Sequence, residues 1–293
     1  MDLKKYEVFV KTVECGSLSE AARLLGYTQS NVTHMIQGLE NYFGFSLMIR
    51  NKGGIMLTEN GKKILPYMEK VLEDDRRMMQ VVEDINGLDT GVLQIGTFSS
   101  VAIQWLPECI QQFKQDYPGI QIELFDMAPS EIENKLLEGK LDMGFLTETG
   151  NLKVEFLPLY KDEMKAVLPD REPYKDMETY PVERYEMDPF IFPTQGLDCE
   201  VLRIMKLEKL QPNKAYYVHG DDAIIAMVEH GLGVSLLPEL YLRERNMALL
   251  VKSLEPRHYR VIGMGFSHYK TNQRVVRKFT KYLQKVVKEK HAL

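Results

Sequence analysis

The chain is poor in the residues and motifs that mark most catalytic or secreted proteins. It has three cysteines, Cys15, Cys109 and Cys199, far apart and without CxxC spacing. That pattern excludes a disulfide framework and a cysteine metal knuckle, and it suits a reducing compartment. Six histidines show no HExxH or other metal spacing. P-loop, GxSxG and GxGxxG motifs are all missing, so nothing points to catalysis, a metal or a bound cofactor. No run approaches the roughly 18–20 apolar residues of a membrane span. The start, MDLKKYEVFV, lacks a signal-peptide core. The expected location is the cytoplasm, with no membrane contact.

What remains is ordinary globular composition, 44% hydrophobic and 27% charged over 293 residues, enough for two or three domains. The net charge of −5 is unevenly spread. Residues 1–63 carry eight Lys/Arg against six Asp/Glu, and the remainder carries 29 against 36. A mildly basic head on an acidic body disfavours indiscriminate DNA binding.

Residues 17–58 organise the chain. Ser17 and Glu20 suit a capping box, with Ser19 as an alternative cap. Ala22, Gly26 and Val32 fall where a helix-turn-helix needs a small residue, a positive φ and a buried side chain. Thr28 can cap a second helix over 29–43, whose inner face is Val32, Ile36, Leu39 and Phe43. The opposite face, with Thr28, Gln29, Ser30, Asn31, Thr33, His34 and Gln37, is polar and free of carboxylates before Glu40. Such a helix fits the major groove of double-stranded DNA. The segments 47–50 and 55–58, joined through Gly53-Gly54, predict a two-stranded wing whose Arg50 and Lys52 can reach phosphates. An ordinary helical pair with a solvated polar face would share the helix signals but not the wing.

These residues carry a family resemblance. Residues 3–65 resemble the winged helix of LysR-type transcriptional regulators. The match includes Phe9, Gly16-Ser17, Ala21-Ala22, Leu24-Leu25, Gln29, Val32-Thr33, Ile36, Leu39-Glu40, Gly44, Leu47, Arg50, Leu57-Thr58 and Gly61. His34 stands where the family often has Arg, and Met48 replaces a common Phe. Residues 91–293 resemble the family's effector-binding half. The resemblance implies a homo-oligomer, a tetramer built as a dimer of dimers, an imperfect palindromic operator and contact with RNA polymerase.

From Thr58, a candidate N-cap, a helix should run to about residue 86. Ile64, Met68, Val71, Met78, Val82 and Ile85 form a heptad-like stripe, expected to pair with a second copy. Residues 87–91 read as a hinge. Beyond it, strands over 92–97, 120–125 and 141–146 alternate with helices over 101–116 and 130–138. A second such unit begins near 163, with strands over 164–168, 190–192, 215–218 and 234–236. A strand over 259–266 and a helix over 273–288 return to the first. The expected fold class is α/β: an N-terminal winged helix-turn-helix (1–58), a linker helix with hinge (59–90) and a two-lobed Rossmann-like effector domain (91–293). That domain resembles a periplasmic binding protein, with lobe I at 91–161 and 267–293 and lobe II at 162–266.

Ligands in such sheets bind beyond the strand carboxyl ends. The candidate effector residues there are Ser99, Ser100, Pro129, Thr147, Thr194, Gln195 and Asp221. The two serines and Asp221 could equally serve as helix caps. The resemblance implies that hydroxyls at Ser99 and Ser100 meet the effector. The cleft segments contain Asp126, Glu148, Asp198, Asp221 and Asp222 but no Lys or Arg. A small polar effector that is singly charged, zwitterionic or neutral follows from that balance. Cys199, at a helix start, invites comparison with peroxide-sensing members, but no second cysteine follows it closely enough for a sensing disulfide. The expected function is a sequence-specific transcriptional regulator controlled by that effector. The alternatives are a biotin-ligase-like enzyme with a winged helix, which lacks its nucleotide loop here, and a solute-binding protein.

Overall fold

The computed structural model describes residues 2–51, 54–86, 91–194, 198–267 and 274–291. The chain divides into two compact units, 1–86 and 87–293.

The first unit opens with α1 (Leu3–Cys15), α2 (Leu18–Leu25) and α3 (Gln29–Phe43). Hydroxyl caps start the last two. Ser17 Oγ accepts from Glu20 N at 3.4 Å and Thr28 Oγ1 from Asn31 N at 3.2 Å, each satisfying a backbone donor with no partner inside the helix. Gly26 ends α2 at φ 71°, a left-handed turn that a side chain would strain. β1 (Met48–Asn51) and β2 (Gly54–Leu57) pair antiparallel as the wing. Thr58 Oγ1 caps α4 (Glu59–Asn86) by accepting from Gly61 N at 2.9 Å, and donates to Ser46 O at 2.7 Å. Gly61 is obligatory there, because a Cβ would stand 2.0 Å from the Leu47 carbonyl oxygen. Phe9, Leu39, Leu47 and Met68 form the core of this unit.

The α4 stripe does not behave as one surface. Met68 is 2% exposed, and Ile64, Leu65 and Leu72 pack with it into the unit's own core. The expectation that Ile64 and Met68 belong to an inter-subunit seam is corrected, since the nearby apolar face of α1 and the wing claims them. Val71, Met78, Met79 and Val82 are each at least 41% exposed. The Ile85 side chain lies outside the described residues.

In the second unit, β3 (Gly91–Thr97), α5 (Ser99–Gln104), α6 (Leu106–Asp116), β4 (Ile120–Asp126), α7 (Pro129–Glu138) and β5 (Met143–Thr147) build a parallel βαβαβ segment. The helix expected over 101–116 breaks at Trp105 into α5 and α6. β6 (Glu155–Pro169) leads to β7 (Tyr180–Pro181), a short 3₁₀ turn, β8 (Phe190–Pro193), α8 (Asp198–Leu207), β9 (Lys214–Val218) and α9 (Asp221–Glu229). β10 (Ser235–Pro238), α10 (Glu239–Leu242), β11 (Leu249–Phe266) and α11 (Arg274–His291) complete the chain.

The main sheet runs β10-β6-β11-β5-β3-β4, with β7 beside β11. It is mixed, because β6, β11 and β10 pair antiparallel. β6 and β11 are long enough to serve both lobes. One half of the pair covers a core of Leu93, Trp105, Phe145, Ile262 and Phe279. The other half covers a core of Met164, Tyr185, Phe190, Ile204 and Leu236. Residues 249–253, unforeseen as a strand, pair with 165–169 across a register shift at 253–258. Among the described residues, no helix is long and apolar enough to cross a membrane, and no His/Cys/Asp/Glu group is arranged to hold a metal.

Candidate functional site

Two places concentrate exposed or buried chemistry. The first is α3. Val32, Ile36 and Leu39 are buried. Thr28, Gln29, Ser30, Asn31, His34 and Gln37 are exposed, and Thr33 is half-buried. The face therefore offers amides, hydroxyls and an imidazole, the groups that match base-edge donors and acceptors. Glu40, the first carboxylate on α3, turns away from that face. Its Oε1 accepts from Leu47 N at 2.7 Å and Met48 N at 3.3 Å, tying α3 to the wing. A charge that would repel phosphate is thereby used for the fold. The Arg50 side chain and Lys52 lie outside the described residues.

The second place is a cleft of about 220 Å³ in the second unit. Ser99 and Ser100 enter just after β3, Asp126 at the end of β4, Pro129 at the start of α7, Asp221 at the start of α9 and Arg260 from within β11. Phe98, His219 and Pro238 also line it. The carboxyl ends of β3 and β4 supply much of the wall, as expected for an α/β crevice.

The hydroxyls here do not cap helices. Phe98 is the N-cap residue of α5 and Gly220 that of α9, neither with a side-chain cap bond. Ser100, 3% exposed, instead accepts from Arg260 Nη2 at 2.8 Å. Arg260 Nε donates to Asp162 Oδ2 at 2.9 Å, and Leu240 N donates to Asp162 Oδ1 at 2.9 Å. Asp162 is fully buried. Burial pushes its carboxyl up, and Arg260 together with the Leu240 N–H pulls it back. The Arg260 guanidinium also lies 5.2 Å from the Phe98 ring centroid.

Three further acids flank this centre. Burial pushes Asp221 up to about 6, against the pull of Arg260, with Asp222 adding to the rise. Burial also raises Asp126, opposed by its hydrogen bond with Ser99. Asp222 is held down by Arg245 and by Tyr241, whose hydroxyl donates to it at 2.8 Å.

Of the residues marked in the sequence, Ser99, Ser100, Pro129 and Asp221 come together in the cleft. Thr147 and Thr194 are not on its wall. Thr147 is buried in β5 opposite Ile262. The Thr194 hydroxyl donates to Val218 O at 3.1 Å. Gln195 and the Cys199 side chain lie outside the described residues. The expectation of a cleft without Lys or Arg is corrected by Arg260. It comes from a strand interior rather than from a loop at a strand end, and its separation from Asp162 by 98 residues leaves no local signal. A basic residue inside an apolar strand, 260 in 259–266, was the one available hint.

Comparison with known proteins gives these two places a common meaning. Residues 3–62 match the family described as bacterial regulatory helix-turn-helix protein, lysR family. Residues 86–288 match the LysR substrate binding domain. The chain is 29% identical over 268 residues to the uncharacterized HTH-type transcriptional regulator YvbU of Bacillus subtilis, covering 90% of this chain and 91% of that one. It is also 29% identical over 241 residues to the HTH-type transcriptional regulator CzcR of Bacillus anthracis, covering 82% and 81%. Full-length CbnR, solved in complex with its target DNA, superposes with a TM-score of 0.71 at 21% identity, covering 98% of this chain and all of that one. With its DNA-binding helix-turn-helix and its effector-binding α/β domain, the chain belongs to the LysR family of transcriptional regulators and is not an enzyme.

Proposed function

We propose that this regulator reads an imperfect palindrome in double-stranded DNA through the exposed face of α3 and is switched by a small polar effector in the Ser100–Arg260 cleft. The observation that carries the reading is the polarity of that face: a capped helix exposing Gln29, Ser30, Asn31, His34 and Gln37 with its nearest carboxylate engaged by the wing. Gln29 stands in the first turn, where a side-chain amide can make a bidentate contact with adenine. Arg50 and Lys52 serve the phosphates in this reading, and Thr28, Thr33 and His34 complete the contact surface.

The working form is a homo-oligomer, with Val71, Met78, Met79 and Val82 as the apolar surface that a second copy covers. The assembly is a tetramer, a dimer of dimers, acting in the cytoplasm on a promoter and meeting RNA polymerase there. Two heads on one operator raise the effective concentration of the second head at the other half-site, which an acidic chain needs more than a basic one.

The test is selection of binding sites by the full chain from a random duplex library, followed by titration across salt. A recovered site with two related half-sites, bound at least 10³-fold more tightly than random duplex, supports the reading. Equal affinity for selected and random DNA overturns it.

A further inference from the structure

We propose that the effector is a small amino acid, held as a zwitterion with its ammonium between Asp126 and Asp221 and its carboxylate on the open Nη1 of Arg260. This rests on the cleft being the effector site.

Charge bookkeeping inside the cleft leads there. Arg260 is 4% exposed and lines the cavity. Its Nε and Nη2 are occupied by Asp162 and Ser100. Among the described residues, nothing accepts from Nη1. A guanidinium has five N–H donors, so the two on Nη1 remain available to an acceptor such as a carboxylate oxygen. Asp221 lines the same cavity and has no hydrogen-bond or ion-pair partner among the described residues. Arg260 and Asp221 feel one another's charge without forming an ion pair. Opposite charges that face one small cavity and do not touch match a ligand carrying both charges in reverse order.

The other ligand classes fit less well. A plain anion reaches a guanidinium whose charge is already answered by fully buried Asp162, and it then meets Asp126 and Asp221. A plain cation satisfies the two carboxylates and leaves Nη1 without an acceptor. A neutral polar molecule leaves the half-buried Asp221 without a counter-charge and Nη1 without a charged acceptor. A zwitterion adds no net charge and answers each group. The cavity of about 220 Å³ has room for a ligand of amino-acid size.

The test uses the full chain, with thermal shift followed by calorimetric titration. The probes are the standard L-amino acids and the straight-chain ω-amino acids up to 6-aminohexanoate. Each is run beside its decarboxylated amine and its des-amino acid; L-leucine, for example, is paired with 3-methylbutylamine and 4-methylpentanoate. The expected result is an amino acid that binds at least tenfold more tightly than either partner compound. Asp221→Asn should weaken it more than tenfold without lowering the ligand-free midpoint. An amine or acid binding as tightly as its amino acid, or a shift unaffected by Asp221→Asn, overturns the zwitterion. If that binding is still lost in Ser100→Ala, the cleft remains the effector site; if it survives both substitutions, the cleft reading falls as well. No shift from any probe overturns the amino-acid assignment.

Discussion

The exposed face of α3 and the Ser100–Arg260 cleft are built on opposite plans. The face is about two and a half turns of mostly exposed polar side chains between Thr28 and Gln37, and the residues that shape it lie within the same short stretch. Caps at Ser17, Thr28 and Thr58 reach only three residues along the chain. The cleft instead gathers segments around 98–100, 126–129, 219–221 and 260, and its central bond joins residues 160 positions apart. In the first place the fold displays groups that water already satisfies. In the second it removes charges from water and must pair them. A substitution on the face should therefore change binding without stability, and one in the cleft should change both.

The largest expected effect lies on α4, where the local plan of the head passes from a self-buried half to an exposed half. Val71→Asp with Met78→Asp should yield smaller species by light scattering and abolish operator binding. Because both positions are exposed, the stability of the head itself should change by no more than about 0.5 kcal/mol per site. An unchanged oligomer would remove these residues from the interface. The contrasting substitution, Met68→Ala, should cost about 2–5 kcal/mol of stability, because it opens a cavity.

Arg260→Ala comes next. It leaves Asp162 buried without its partner, at a cost of about 3–5 kcal/mol by denaturant titration of the effector domain. Replacing both residues by apolar ones, Arg260→Met with Asp162→Leu, should recover much of that loss. A loss below about 1 kcal/mol would break the contrast between the two regions.

Gln29→Ala should leave the denaturation midpoint in place. It should cost about 1–3 kcal/mol on the selected site and little on random duplex. Equal losses on both DNAs would move Gln29 from base reading to backbone contact.

The smallest effect is electrostatic. The folded chain holds the Asp221 proton up to about 6, whereas the free side chain releases it near 3.8. The folded state therefore binds more protons in that window, and stability falls as pH rises from about 4 to about 6. Asp221→Asn should flatten that fall. At pH 7 it should stabilise the ligand-free chain by about 1–2 kcal/mol, after allowance for solvent screening. A variant with the same pH slope would place Asp221 in water.

What the sequence determined by itself follows this division. The capped helices, the wing, the polar face of α3, and the α/β alternation were all legible, because each depends on neighbours within a turn or a strand period. Ser99, Ser100, Pro129 and Asp221 were legible for a related reason: strand ends point to the crevice. Tertiary structure alone decided the rest. Among the described residues, it divided the α4 stripe between a core and an exposed surface, because the nearby faces of α1 and the wing take up Ile64, Leu65, Met68 and Leu72. It spent the Thr194 hydroxyl on Val218. It placed Arg260 against Ser100 and Asp162, because β6 and β11 continue through both lobes and pair residue 162 with residue 260. No periodicity encodes a register between strands that distant, and the sign of charge in the cleft depends on that register.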